Sequence, residues 1–240
     1  FFPFTIEPRR YAPGYVQFLA LAASLILALL LIALLFIPLG VDPIFAYRRI
    51  FNGGFGSIYG LSETVTKSIP LILAGVGLAV AFRARVYNIG AEGQILVGAV
   101  VGSVIALNLP DWPRVVLLPT MFIGGALGGA LWALIPAILK ARFRVDEVLT
   151  TLMMVYIASD LVKFLVNGPL RGPEQRGFPY SSNFSDSARL PQIGATRIHY
   201  ITLIIAILLA IFLYWLLERT KLGYEIRVAG ENPDAARYAG

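Results

Sequence analysis

The chain has 240 residues, of which 58% are hydrophobic and only 14% are charged, and its formal net charge is +6. Soluble domains are close to half apolar and carry about a quarter charged residues, so this composition excludes an ordinary soluble domain. The lack of cysteine excludes disulfides, thiol catalysis and zinc–thiolate sites, and the single histidine, His199, excludes multi-histidine metal sites.

Six mainly apolar runs determine the fold class. A helix needs about 20 such residues to cross the hydrocarbon core of a bilayer. The runs cover residues 15–39, 61–82, 94–109, 115–139, 147–166 and 198–217. They predict an all-α, polytopic transmembrane helix bundle, organised as a single transmembrane domain over residues 1–240. Because the chain opens on Phe1 and stops soon after a new helix is expected to begin, we expect it to be truncated at both ends.

The distribution of Lys and Arg predicts the orientation. These residues lie between the apolar runs, as expected where a membrane protein meets anionic lipid, and they form no surface stripe that favours nucleic acid. Eleven occupy the amino terminus, the 83–93 and 140–147 links and the carboxyl tail, whereas seven occupy the opposite connections. The bias predicts that both ends of the chain, including the amino terminus, are cytoplasmic.

A polar stretch over residues 83–94 interrupts the apolar sequence, with the order Arg-Ala-Arg-Val-Tyr-Asn-Ile-Gly-Ala-Glu-Gly-Gln. Non-helical backbone at membrane depth is tolerated only where protein or a water-filled cavity surrounds it, and a carboxylate there is a candidate functional group. Two interpretations stay open: a cytoplasmic turn between two spans, or a broken helix that lines a solute pathway. In the second case Asn88, Glu92 and Gln94 are the pathway candidates.

Local signals for helix starts and helix packing accompany the runs. Ser62, Asp111 and Asp146 are expected to cap helix N-termini. Glycines at small-xxx-small spacing predict close helix packing rather than a hinge. They are Gly98 and Gly102 in the third run and Gly124, Gly125, Gly128 and Gly129 in the fourth.

The fifth run carries a polar face. Met153, Tyr156, Asp160 and Lys163 recur at spacings of three and four and therefore share one side of a helix. Asp160 lies roughly 20 Å along that helix from its predicted cytoplasmic start, in the outer part of the bilayer. A structural ion pair with Lys163 is the favoured interpretation, and a pathway-lining role for Tyr156 and Asp160 is the alternative.

The carboxyl tail predicts one more helix start. Asn232 supplies a capping side chain, Pro233 a fixed φ and Asp234 a negative charge near the positive end of the helix dipole. The helix presents Ala235 and Ala239 on one face, which suits a close-fitting partner. From the residues alone, an amphipathic connector to a further span is the favoured interpretation.

Three stretches resemble one protein family. They are Tyr-Asn-Ile-Gly-Ala-Glu-Gly-Gln at 87–94, Val-Asp-Glu-Val-Leu-Thr-Thr-Leu-Met-Met at 145–154, and Lys-Leu-Gly-Tyr-Glu-Ile-Arg-Val-Ala-Gly-Glu-Asn-Pro-Asp-Ala-Ala-Arg-Tyr-Ala-Gly at 221–240. In this order they are similar to the permease subunits of nucleoside and simple-sugar ABC importers, within the branched-chain amino acid, ribose and nucleoside permease family.

The resemblance implies a function and a set of partners. The chain is expected to be the permease subunit of an ATP-binding-cassette importer in a prokaryotic plasma membrane, which moves a nucleoside or simple sugar by alternating access. Expected partners are separate ATPase subunits, a second permease subunit in a homo- or heterodimer, and an extracellular or periplasmic solute-binding protein. That protein would dock on the 168–197 loop, which is equally well interpreted as a connector. ATP would bind to the ATPase subunits, with no cofactor on this chain.

The resemblance also implies that the tail contains the coupling helix, which sits in a cleft of the ATPase subunit. The residues concerned are Gly230, Glu231, Asn232, Pro233, Asp234, Ala235, Ala236, Arg237, Tyr238 and Ala239.

Two other classes of function are less well supported. A self-sufficient secondary transporter or channel is the main alternative, but it favours paired broken helices in an inverted repeat, and the sequence shows one clear interruption. An intramembrane enzyme requires a nucleophile–base pair or a metal site. The sequence offers few residues for either, since it has one His and no Cys. A permease served by separate ATPase subunits agrees with the lack of a Gly-x-x-x-x-Gly-Lys-Ser/Thr phosphate loop.

Overall fold

The computed structural model describes residues 13–175, 177–194, 196–232 and 236. Within these ranges the regular structure is helical, which confirms the predicted all-α class. The helices are α1 (Gly14–Phe36), α2 (Pro43–Phe55), α3 (Ile58–Arg83), α4 (Ala91–Asn108), α5 (Arg114–Phe143), α6 (Glu147–Asn167), α7 (Tyr200–Arg219) and α8 (Lys221–Glu231). All except α2 and α8 are long and apolar enough to cross a membrane, so the six predicted spans are confirmed.

The chain divides into two compact units after Thr64. The first contains α1, α2 and the beginning of α3. Its α2 was not predicted, because 13 residues are too few for a span, yet its start follows the usual rules. Asp42 Oδ1 accepts the Ile44 N–H at 2.8 Å, and Pro43 occupies the first helical position.

The second unit is built on the packing of α4 against α5, which run antiparallel, with α6 against both. A Cβ on Gly98 would lie 2.7 Å from the Gly125 carbonyl oxygen, and one on Gly129 would lie 3.0 Å from that of Gln94. Contacts this short leave no room for a side chain, so the two backbones approach each other directly. The predicted glycine packing is therefore confirmed.

The capping predictions were partly correct. Asp146 Oδ1 accepts the Leu149 N–H at 3.0 Å, as expected at the start of α6. The prediction for Ser62 was wrong, because α3 begins earlier: Ser57 Oγ accepts the Gly60 N–H at 2.9 Å, and Ser62 lies inside the helix. The prediction for Asp111 was also wrong, because α5 begins after Pro113 without a side-chain cap.

The carboxyl end contains a helix that the sequence did not reveal, α8. Its N-terminus is capped by Thr220, whose Oγ1 accepts the Gly223 N–H at 3.1 Å. Asn232 then leaves helical geometry (φ −150°, ψ 100°), and its carbonyl accepts the Ala236 N–H at 3.0 Å. Of the predicted coupling residues, Pro233, Asp234, Ala235, Arg237, Tyr238 and Ala239 lie outside the described residues.

Candidate functional site

A cavity of about 900 Å³ lies in the second unit. It is bounded by the middle of α3, the end of the link at 84–90, α4, α5 and part of the 168–197 loop. Most of its walls are apolar side chains and glycines, with Asn88, Gln94 and Ser103 as the polar side chains among the lining residues. This size and this mixture of apolar walls with few polar groups are typical of small-molecule sites.

Asn88 is positioned by its own turn. Its Oδ1 accepts the backbone N–H of Gly90 at 2.8 Å, immediately before α4 begins. Because a backbone N–H can only donate, the atom that faces it is the oxygen, and the Asn88 NH₂ group remains as a donor. Within the described ranges this NH₂ group has no hydrogen-bond partner, so it is available to a molecule in the cavity.

Gln94 lies one turn into α4 on the cavity side. Gln94 is half-buried. A Cβ on Gly129 of α5 would lie 3.0 Å from the backbone carbonyl oxygen of Gln94. That close approach fixes the backbone from which the Gln94 side chain extends. The carboxamide has both a donor and an acceptor and forms no hydrogen bond with any described residue. Asn88 and Gln94 are thus brought together at one cavity, as the pathway hypothesis requires.

The 84–90 link is fastened to the beginning of α6. The Ile89 N–H donates to Thr151 Oγ1 at 3.1 Å, and the Tyr87 N–H donates to Glu147 Oε1 at 3.4 Å. Thr151 is 4% exposed, and Glu147 also forms an ion pair with Lys140 at the end of α5. The link is therefore a non-helical connection between two separate helices, and Asn88 within it lines the cavity. The polar stretch is thus a connection between two spans, as in the first interpretation, and it also contributes to a cavity wall, as in the second.

The other predicted pathway residues lie elsewhere. Glu92 is exposed in the first turn of α4, where a negative charge is favourable near the helix N-terminus, and it is not among the cavity-lining residues. Tyr156 and Asp160 lie on the exposed face of α6, also outside this cavity. Asp160 pairs with Lys163 at 2.9 Å, as the favoured interpretation of that face expected.

The cavity also has walls that the sequence did not single out. Leu118, Met121 and Phe122 come from α5, and Phe184, Ala188 and Leu190 come from the loop. An apolar residue facing a cavity has the same sequence signature as one facing a neighbouring helix or lipid. Gly98, Gly125 and Gly129 also line the cavity. Their spacing is recognisable in the sequence, but it indicates close helix packing rather than a cavity.

The 168–197 loop is a folded element in its described part. Glu174 accepts the Asn183 N–H at 3.0 Å and the Ser182 hydroxyl at 3.2 Å, which closes the loop on itself. The backbone N–H groups of Glu174 and Asn183 hold the pKa of the Glu174 carboxyl below its ordinary value. Because the Glu174 pKa is lower in the folded state than in the unfolded state, the ionised carboxylate stabilises the folded loop at neutral pH. This stabilisation is lost as the pH falls through the folded-state pKa.

Taken together, the six apolar spans and the glycine-mediated packing of α4 on α5 define a multi-pass membrane protein. The family described as "Branched-chain amino acid transport system / permease component" matches residues 60–240. The chain belongs to this family.

Named relatives extend the comparison to almost the whole chain. The chain is 36% identical to the glucose ABC transporter permease protein TsgB13 of Haloferax volcanii, over 98% of this chain and 64% of that protein. It is also 36% identical to the guanosine ABC transporter permease protein NupP of Bacillus subtilis, over 90% of this chain and 62% of that protein. The nucleoside ABC transporter permease protein NupB of Lactococcus lactis is 32% identical over the same two shares.

The chain thus spans somewhat less than two thirds of the length of these relatives. No solved structure gives a significant match to it.

Proposed function

We propose that this chain is part of the membrane-spanning permease subunit of an ABC importer, which moves a nucleoside or simple sugar by alternating access driven by separate ATPase subunits. The observation that carries the proposal is the cavity with Asn88 and Gln94 among its few polar lining residues, in a chain whose relatives are named as ABC permeases for such solutes. The subunit performs no bond chemistry; its residues bind, orient and release the solute.

The cavity suits a small polar solute. A nucleoside or sugar gives up hydrogen bonds with water when it enters a membrane protein, and unreplaced hydrogen bonds cost about 1–3 kcal/mol each. The carboxamides of Asn88 and Gln94 and the hydroxyl of Ser103 replace some of these bonds, while the apolar walls contact the faces of a ring. Few polar groups also keep binding weak enough for release.

The energy source is on other chains. The sequence contains no phosphate-binding loop of the Walker type, so nucleotide hydrolysis is assigned to separate ATPase subunits. The count of basic residues supports a cytoplasmic location for the 84–90 link, the start of α6, the tail and the amino terminus. The tail from Gly230 to Ala239 then supplies the contact with an ATPase subunit.

A second permease subunit is assigned to the polar face of α6. Tyr156 is 66% exposed, and the Asp160 and Lys163 side chains are 75% and 68% exposed, although they lie within a span. Charged groups facing lipid are costly, so this face requires protein or water beside it. A second permease subunit meets that requirement, with Tyr156 and Asp160 at the pathway between the subunits.

On the side of the membrane opposite the tail, the 168–197 loop is the docking surface for a solute-binding protein.

The tail assignment is tested by filling its small-residue face. Ala235→Trp and Ala239→Trp in the full-length subunit are expected to reduce solute-stimulated ATP hydrolysis about fivefold or more. The reason is that a bulky side chain separates the tail from the cleft of the ATPase subunit. The measurement uses the subunit reconstituted with its ATPase, with guanosine and glucose as the solutes.

A matched control is Ala20→Trp, which places the same side chain on an exposed position of α1. That variant is expected to keep the stimulation. Equal stimulation in the tail variants and the wild type would remove the tail from the coupling role.

A further inference from the structure

The last residues of α8 are seated on the end of α3. A Cβ built on Gly230 would overlap the carbonyl oxygen of Arg83 and lie 3.1 and 3.2 Å from the C and Cα atoms of Ala84. All three neighbours are backbone atoms, which cannot rotate away as a side chain does. Gly230 is buried, and any larger residue there must push α8 and the end of α3 apart.

A charged cluster holds the same junction. Glu218, at the end of α7, accepts a hydrogen bond from Arg227 of α8 at 3.0 Å and lies 3.8 Å from a guanidinium nitrogen of Arg83. One carboxylate is therefore shared by two guanidinium groups from different helices. The cluster joins α8 to the first residue before the link, beside the Gly230 contact.

The 84–90 link begins with a hydrogen-bonded turn at the end of α3. After Arg83 the chain closes α3 with a bond from the Val86 N–H to the Ala81 carbonyl at 2.9 Å and one from the Arg85 N–H to the Phe82 carbonyl at 3.0 Å. This is the Schellman pattern, with Arg85 in the left-handed region at φ 52°. A closed turn of this kind moves as a unit, so the backbone at Ala84 and Val86 is fixed relative to α3.

Two residues further on, the same link reaches both the cavity and α6. Asn88 lines the cavity, and the Ile89 N–H is bonded to the buried Thr151. A Cβ on Gly90 would lie 2.9 Å from the Thr151 carbonyl oxygen, so the end of the link also packs directly on α6. The route from Gly230 to Asn88 thus passes through the backbone contact with Arg83 and Ala84 and the hydrogen-bonded turn that follows. From there the Asn88 N–H donates to the Val86 carbonyl at 3.1 Å.

We propose that α8 is the element that transmits tail movement to the solute site, with Gly230 and Glu218 as positioning residues that press the Arg83–Ala84 backbone and so set the 84–90 link. This inference rests on the proposed function, because it assigns the receiving point of the movement that an ATPase subunit imparts to the tail. Displacement of the tail shifts α8, the end of α3 and the link follow as one unit, and Asn88 and the Thr151 contact are rearranged together.

A thiol reporter on the link tests the transmission directly. Residues 1–240 contain no cysteine, and Ile89 is 51% exposed, so Ile89→Cys places one thiol in this region. The full-length subunit is reconstituted with its ATPase, and labelling of the introduced thiol by a maleimide is followed by peptide mass spectrometry with and without ATP plus vanadate. We expect trapping of the nucleotide to change the labelling rate.

Gly230→Ala is expected to reduce that nucleotide-dependent change about fivefold or more in the complex that is recovered. Gly75→Ala is the matched control, since a Cβ there meets nothing within 4 Å. If Gly230→Ala is not recovered in the complex, Glu218→Gln takes its place, because it keeps the side-chain volume and removes the charge shared by the two arginines. It is expected to weaken the nucleotide-dependent change as well.

The outcomes separate this inference from the function on which it rests. A full nucleotide-dependent change in the recovered variants would overturn the inference. The inference would also be overturned if the Ile89→Cys thiol were labelled at the same rate with and without ATP plus vanadate, in a complex that transports guanosine or glucose with ATP. A wild-type complex that shows no ATP-dependent uptake of either solute would instead overturn the proposed function.

Discussion

Asn88→Asp is expected to lower the uptake rate at low solute concentration by about 5- to 150-fold, the equivalent of about 1–3 kcal/mol for a polar group buried without its partner. The substitution keeps Oδ1, and with it the bond to the Gly90 N–H that shapes the turn. It removes the NH₂ donor that faces the cavity and places a negative charge there. The turn therefore survives while the solute contact is lost, which separates binding from folding.

Asn108→Asp is the matched control for this effect. Asn108 lies at the other end of α4, outside the cavity, and its NH₂ group donates to the Val104 carbonyl at 2.8 Å. The same atoms and the same charge are changed there, so uptake is expected to stay close to the wild-type rate. The measurement is uptake of labelled guanosine and glucose into proteoliposomes with ATP. Equal rates for the two Asp variants would exclude Asn88 from the pathway.

Gly98→Val is expected to destabilise the folded protein by about 1–3 kcal/mol, the usual cost of adding methyl groups to a packed interior. A Cβ at this position would lie 2.7 Å from the Gly125 carbonyl oxygen. Since the obstacle is backbone of the facing helix, relief requires α4 and α5 to separate. That separation weakens the most extensive helix pair in the second unit.

Gly75→Val supplies the comparison, because it makes the same change in α3 where an added Cβ meets nothing within 4 Å. Any general cost of a β-branched residue in a helix is common to both variants. Unfolding of the purified protein by SDS in mixed micelles, followed by circular dichroism, measures the difference. A loss of stability as large for Gly75→Val as for Gly98→Val would contradict direct backbone packing at Gly98.

Most of the transmembrane fold was predictable, because lipid imposes a strong constraint on sequence. Each span must be long, apolar and internally hydrogen-bonded, so its composition alone reveals it. The glycines at 98 and 125 could be interpreted for a similar reason, since close helix approach in lipid requires small residues. By contrast α2 and α8 are short and amphipathic, and their signals at Asp42 and Thr220 were recognisable only once the helix boundaries were known.

The candidate site was predictable only in part. Asn88 and Gln94 stand out as polar residues beside apolar sequence, and the fold brings them to one cavity. Glu92, Tyr156 and Asp160 have the same sequence signature but face away from that cavity, because their direction depends on where α4 and α6 pack. The contact between Gly230 and Arg83 joins residues far apart in sequence, and no periodic pattern encodes such a contact.

The most direct test of the proposed function is ATP-driven uptake by the full-length subunit in proteoliposomes, with and without its ATPase subunits. We expect labelled guanosine or glucose to accumulate only when both the ATPase subunits and ATP are present. Equal accumulation without the ATPase subunits would contradict the proposal and would indicate a self-sufficient transporter or channel.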